Sequence, residues 1–198
     1  MIRLFDNLLG PSDHQQMQAY LQRQDWSYGA YSDNSPMASR YLYKHFAGHF
    51  RDGEDRDTAG IETELAAFPP IADLWKGLQA SCLKGHVLTR SYANAYPVGS
   101  EGGLHRDALE PDHFTAIYYP HLHWDPNYAG ETVFFNDEGT EIVASVYPRP
   151  NRLVVFAGSI PHVARGVSRQ CPELRITLMF KTVLAQSAQA PGTLAAAG

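Results

Sequence analysis

Cysteine is scarce. Only Cys82 and Cys171 occur among 198 residues, and they form no CxxC pair, so no disulfide framework is encoded and reduced thiols in a cytoplasmic protein are expected. Long apolar runs are missing as well. No stretch approaches the roughly 20 residues of a membrane span, and Met1-Ile2-Arg3-Leu4-Phe5-Asp6 lacks the apolar core of a signal peptide. Positive charge is not in excess, since 16 Lys and Arg face 21 Asp and Glu for a net charge of −5. That balance gives no basic stripe for gripping a nucleic-acid backbone, so neither nucleic acid nor membrane is expected as a partner. No internal repeat occurs.

A 44% hydrophobic content in a chain of this length is enough to bury a core without staples. The division expected is one domain over 1–184, with a helix-rich part over 1–86 and a β core over 87–182. A low-complexity disordered tail is expected over 185–198. Ser12 and Gln15 fit a capping box, and Met17, Tyr20 and Leu21 recur at helical spacing, predicting a helix over 12–24. Ser39–Tyr43 reads as a short strand. The charge run Arg51-Asp52-Gly53-Glu54-Asp55-Arg56-Asp57 reads as a solvated loop, with a substrate-covering lid as its functional alternative. A helix over Ile61–Ala67 breaks at Pro69-Pro70, where a second starts with Ile71, Leu74, Trp75 and Leu78 on one stripe. After Gly85 the period becomes two, predicting strands at 87–96, 114–119, 131–135, 141–147, 152–156, 162–167 and 175–181. Helices followed by about seven short strands describe a mainly β protein with packing helices, a sandwich or jelly roll.

Within that pattern, Gly102-Gly103-Leu104-His105-Arg106-Asp107 carries an HxD pair. On an extended strand His105 and Asp107 share a face while Arg106 points away. A third ligand is offered far downstream by Pro161-His162. Two His and one carboxylate are the facial triad that holds Fe(II) and leaves positions open for oxygen and a co-substrate. An organic acid chelating such a metal needs a cation at its far end. Arg175 opens a strand in which Ile176, Leu178 and Phe180 face one way and Arg175 and Thr177 the other, so guanidinium and hydroxyl point together at a carboxylate.

The region from about Val87 to Thr182 resembles the Fe(II)- and 2-oxoglutarate-dependent oxygenases, in particular their prolyl 4-hydroxylase-like branch. Four pieces carry the likeness in order: His105-Arg106-Asp107; Ile117-Tyr118-Tyr119 with Trp124-Asp125 and Gly130-Glu131-Thr132; Pro161-His162; and Arg175. The resemblance implies a cupin-like double-stranded β-helix using Fe(II), O2 and 2-oxoglutarate, with His105, Asp107 and His162 as metal ligands. It further implies Arg175 as the clamp on the C5 carboxylate, with Tyr119, Tyr92, Asn94 and Thr177 as added co-substrate contacts. Arg175 follows His162 at a longer spacing than the family's usual one, which leaves Arg165 and Arg169 as alternative clamps; Arg175 is preferred because it alone begins an apolar strand in register. A carboxylate at Asp107 disfavours halogenation, since related halogenases carry a small residue there.

The activity implied is hydroxylation of an amino acid, peptidyl residue or small natural-product intermediate by a monomer or weak homodimer. Alternatives are desaturation, cyclisation or epoxidation at the same iron, or a non-catalytic cupin-like metal- or ligand-binding module. Arg106, Arg165, His121, His123 and Trp124 are candidate substrate contacts. His121-Leu122-His123 is also a rival same-face metal pair, although its position between Pro120 and Trp124-Asp125-Pro126 favours a rim loop.

Overall fold

A computed structural model describes residues 1–32, 38–48 and 58–185. The charge run at 51–57 and residues 186–198 of the expected tail lie outside the described residues. The chain builds two facing antiparallel sheets with helices on one outer side. In order come β1 (Ile2–Phe5), α1 (Pro11–Leu21), β2 (Ser27–Ala30), β3 (Tyr41–Gly48), α2 (Ile61–Leu65) and α3 (Pro69–Ala80). They are followed by β4 (His86–Tyr96), β5 (His113–Tyr119), β6 (Thr132–Phe135), β7 (Ile142–Val146), β8 (Arg152–Ala157), β9 (His162–Ala164) and β10 (Arg175–Leu184). The larger sheet runs β1-β8-β5-β10-β4-β3-β2 and the smaller β7-β6-β9, an arrangement consistent with the double-stranded β-helix.

Strand β10 explains the layering. Ile176, Leu178 and Phe180 join Ala93 and Ala95 of β4, Ala116 and Tyr118 of β5, and Leu153 and Val155 of β8 in one apolar layer. That layer is covered by Ile71, Leu74, Trp75 and Leu78, the stripe of α3. Trp75 stacks on Phe180 with ring centroids 5.7 Å apart. The opposite side chains of the same strands face the smaller sheet, where Ile117, Val154, Phe156 and Met179 meet Phe134 and Val146. Both faces of β10 are therefore buried, and the polar positions of its alternating sequence look into the space between the sheets and not to solvent.

Several local expectations are corrected. Helix α1 ends at Leu21 and uses no capping box: Gly10 is its N-cap, Pro11 supplies the preset first turn, and the Ser12 hydroxyl instead accepts from Gln16 Nε2 at 3.2 Å. Strand β3 continues to Gly48, beyond the expected end at Tyr43, and β9 stops at Ala164. Strands β1 and β2, four residues each, carried no readable period. The HxD pair does not lie on a regular strand. His105 forms an isolated antiparallel bridge with His162, and the Asp107 amide bonds to the Gly158 carbonyl at 2.9 Å. Among the described residues no helix is long and apolar enough to cross a membrane.

The N-terminal strand is held at the sheet edge by its pairing with β8 and by one charge cluster. Asp6 accepts from Arg152 Nε at 2.6 Å, Arg152 Nη2 at 3.0 Å and Arg149 Nη1 at 3.2 Å. The Arg152 hydrogen bonds outweigh partial burial and lower the Asp6 pKa below its usual 3.8. A carboxylate whose folded pKa is depressed stabilises above the unfolded value and loses that contribution as pH falls through the folded one. Asp6→Asn should cost about 1 kcal/mol or less, given the partial exposure of the pair. Thermal melts of both proteins should differ by a few degrees at pH 7 and converge once the pH has fallen through the depressed folded pKa of Asp6; a gap that persists in stronger acid would mean that the charge is not its source.

Candidate active site

The two histidines of the site are brought together by backbone. The His105 amide donates to the His162 carbonyl at 3.1 Å and the His162 amide to the His105 carbonyl at 2.9 Å. Each ring is then oriented by a local carbonyl: Nδ1 of His105 donates to Gly103 O at 2.9 Å, and Nδ1 of His162 to Ile160 O at 3.0 Å. Because a carbonyl only accepts, each ring keeps a proton on Nδ1, so that in its neutral form the Nε2 lone pair is the one left for a metal. The rings stand 4.4 Å apart. Asp107 completes the group, with Oδ1 at 3.3 Å from His105 Nε2 and Oδ2 at 3.5 Å from His162 Nε2.

Ligand atoms of His105, Asp107 and His162 all lie within 4.8 Å of one another. Two neutral imidazoles and one carboxylate on one side of a cavity suit Fe(II), and the donor set fits it. Burial pushes His162 down to about 4, against the pull of Asp107. Burial would also lower His105, but the hydrogen bond and charge of Asp107 raise it. For Asp107 itself burial favours the acid, yet Lys181, then His162 and His105, hold its carboxyl well below the usual range.

The cavity next to the triad is walled by the inward side chains of β4 and β10, among them Tyr92, Asn94 and Tyr96 on the first and Arg175, Thr177 and Met179 on the second. Arg175 is 1% exposed. Its Nε donates to the Gly130 carbonyl at 2.5 Å and its Nη2 to Thr132 Oγ1 at 2.9 Å, while Nη1 has no hydrogen-bond partner among the described residues. The rings of Tyr96 and Tyr119 flank the guanidinium, their centroids 5.5 and 5.9 Å from Cζ. The Tyr119 hydroxyl donates to Thr132 Oγ1 at 2.7 Å. Thr132 thus accepts twice and keeps its own proton to donate, so a cation and a hydroxyl stand together on the wall facing the metal ligands.

Tyr119 lies behind Thr132 and does not line the cavity. Arg106 borders it but spends its guanidinium on Asp137 and the Ser159 carbonyl. Arg165 is exposed, with Cζ 5.9 Å from the Phe135 ring, and Arg169 is exposed too. His121 is buried; its Nε2 accepts the Ile176 amide at 3.0 Å, and its Nδ1 lies 3.4 Å from Glu173 Oε2. His123 points to solvent, so the HxH segment gives no metal pair. Trp124 donates Nε1 to the Ala129 carbonyl at 2.9 Å and packs on Val167 and Cys171.

Sequence reasoning missed Lys181, Thr115, Thr132 and Tyr96. Counting in twos along β10 from Arg175 reaches Lys181, and along β4 from Tyr92 reaches Tyr96, so the signal was present. Ferrous ion added under argon at about 100 times its dissociation constant should stabilise the protein by about 2.7 kcal/mol. His162→Ala should abolish that rise in Tm; an undiminished rise would place the metal elsewhere.

Three comparisons bear on this site. The family profile described as the 2OG-Fe(II) oxygenase superfamily matches residues 91–180. None of the curated protein sequences matches the chain. Among solved structures, a Pseudomonas putida prolyl-4-hydroxylase is similar at TM-score 0.60 and 19% identity, over 92% of this chain and 91% of that one. A Trichoplax adhaerens prolyl hydroxylase, in complex with a hypoxia inducible factor oxygen degradation domain peptide fragment, gives 0.59 and 17% over 96% and 87%. A Burkholderia pseudomallei oxidoreductase of the 2OG-Fe(II) oxygenase family gives 0.62 and 16% over 92% and 85%. At such identities these structures speak to the fold alone. The profile, however, runs from within β4 to within β10, across the ligand group and Arg175, and over that stretch the chain is similar to the 2OG-Fe(II) oxygenase superfamily.

Proposed function

We propose that the protein couples oxidative decarboxylation of 2-oxoglutarate to hydroxylation of an amino acid, a peptidyl residue or a small natural-product intermediate. The observation that carries this reading is the buried Arg175, whose Nη1 is uncommitted at the cavity wall facing the triad. A buried guanidinium with a donor to spare is costly unless an anion completes its pairing. The C5 carboxylate of 2-oxoglutarate does so, taking Nη1 and the Thr132 hydroxyl while its 2-oxo acid end lies toward His105, Asp107 and His162.

Those three residues would hold Fe(II), which when bound activates oxygen to remove a hydrogen from the substrate. The chain's own work is positional. His105 and His162 present neutral nitrogens, Asp107 supplies the charge that retains a divalent ion, and Tyr96 and Tyr119 shield Arg175 from water. Tyr92, Asn94 and Thr177 line the same cavity and would border the co-substrate. Arg90 and the exposed Tyr31 also line the cavity, and the substrate would pass them. The prolyl hydroxylase neighbours make prolyl peptides the first substrates to offer, with free amino acids next.

Anaerobic addition of Fe(II) and 2-oxoglutarate should produce the weak visible charge-transfer band of a chelated 2-oxo acid. His105→Ala should lose the band and Arg175→Ala should need far more 2-oxoglutarate; no band from folded, iron-loaded protein would refute the proposal. A finer probe is Gly130, at φ +84°, where an added Cβ would stand 3.1 Å from Arg175 Cδ and 3.2 Å from Val167 Cγ1. Gly130→Ala should displace the Arg175 side chain at a cost of order 1–3 kcal/mol, raising half-saturating 2-oxoglutarate about tenfold. Fe(II) affinity measured without 2-oxoglutarate should stay unchanged, and an equal loss in both would assign the defect to misfolding.

A further inference from the structure

Asp107 has a partner that the iron chemistry does not require. The Lys181 ammonium contacts Asp107 Oδ2, with both side chains 8% exposed. Thr115 joins them, its hydroxyl donating to the same Oδ2 at 2.5 Å while accepting from Lys181 Nζ at 3.1 Å. Oδ2 is thus held by two donors, and Oδ1 is turned toward His105 Nε2 at 3.3 Å. Lys181 sits on the inward face of β10, in step with Arg175, beside a register shift between Lys181 and Thr182. Such irregularities re-aim a side chain.

The arrangement matters because a carboxylate can bind a divalent metal through one oxygen or through both. With one oxygen, the triad fills three of six positions and leaves three. With both, it fills four, and a two-point 2-oxo acid would then take every position left. We propose that Lys181, assisted by Thr115, is a positioning residue that occupies Oδ2, confines Asp107 to coordination through Oδ1 and so reserves a metal position for oxygen. Only its last consequence rests on the functional reading above; the coordination mode does not.

The test therefore uses Mn(II) in place of iron and counts metal-bound water by electron–nuclear double resonance in the absence of 2-oxoglutarate. Native protein should hold about three waters and Lys181→Met about two, as the freed Oδ2 swings onto the metal. Lys181→Arg, which keeps charge and donors, should restore the native count. Should Lys181→Met fail to fold, Thr115→Val removes one donor without changing shape and should give a mixture of the two counts. A native count in folded, metal-loaded Lys181→Met, or in Thr115→Val where the first does not fold, would reduce the contact to a structural ion pair and overturn the proposal. Adding 2-oxoglutarate provides a separate arm. If it displaces no water from the native protein, the co-substrate reading fails while the water count still decides the role of Lys181.

Discussion

The structure depends on one strand being buried on both sides. β10 sits between β4 and β5, so its backbone is paired along both edges and only side-chain direction distinguishes its two environments. One face meets helices and carries Ile176, Leu178 and Phe180; the other meets the smaller sheet and carries Arg175, Thr177, Met179 and Lys181. A slip of one residue would drive two cations into the apolar layer under α3 and three large hydrophobes into the cavity. The stacking of Trp75 on Phe180 and the pairing of Lys181 with Asp107 therefore enforce the same register from opposite sides.

The charges that this register places inside are expensive, and each is met by fixed partners. Arg175 bonds a backbone carbonyl and a threonine hydroxyl before any acid arrives. Asp107 is surrounded by an ammonium, a hydroxyl and two imidazoles. His121, although outside the cavity, fixes the start of β10 by accepting the Ile176 amide, next to the guanidinium whose aim matters most. These contacts convert folding energy into preorganisation, so that binding need not order the side chains it uses.

Much of this was legible in the sequence. The helical stripe from Ile71 to Leu78 and the period-two runs after Gly85 located α3 and the core strands, because in both cases burial itself sets the spacing. His105, Asp107 and His162 were legible because metal chemistry restricts residue type. The missed strands, Ile2–Phe5 and Ser27–Ala30, are short edge strands whose side chains are partly exposed, so no period marks them. The capping box failed because Pro11 and Gly10 start the helix without a side-chain cap. Lys181 was passed over because a lysine ending an apolar run normally reaches solvent, and only the third dimension puts an acid beside it.

The paired amides and carbonyls of His105 and His162 have a consequence for metal choice. Since main-chain bonds hold the two imidazoles together, the cluster is complete in the folded polypeptide and no ion is needed to assemble it. A cup that is ready in advance accepts any divalent ion of suitable size, and first-row ions will compete for it in the Irving–Williams sequence, where ferrous ion ranks below cobalt, nickel and copper. The main-chain bonds between the two imidazoles thus add no preference for iron of their own.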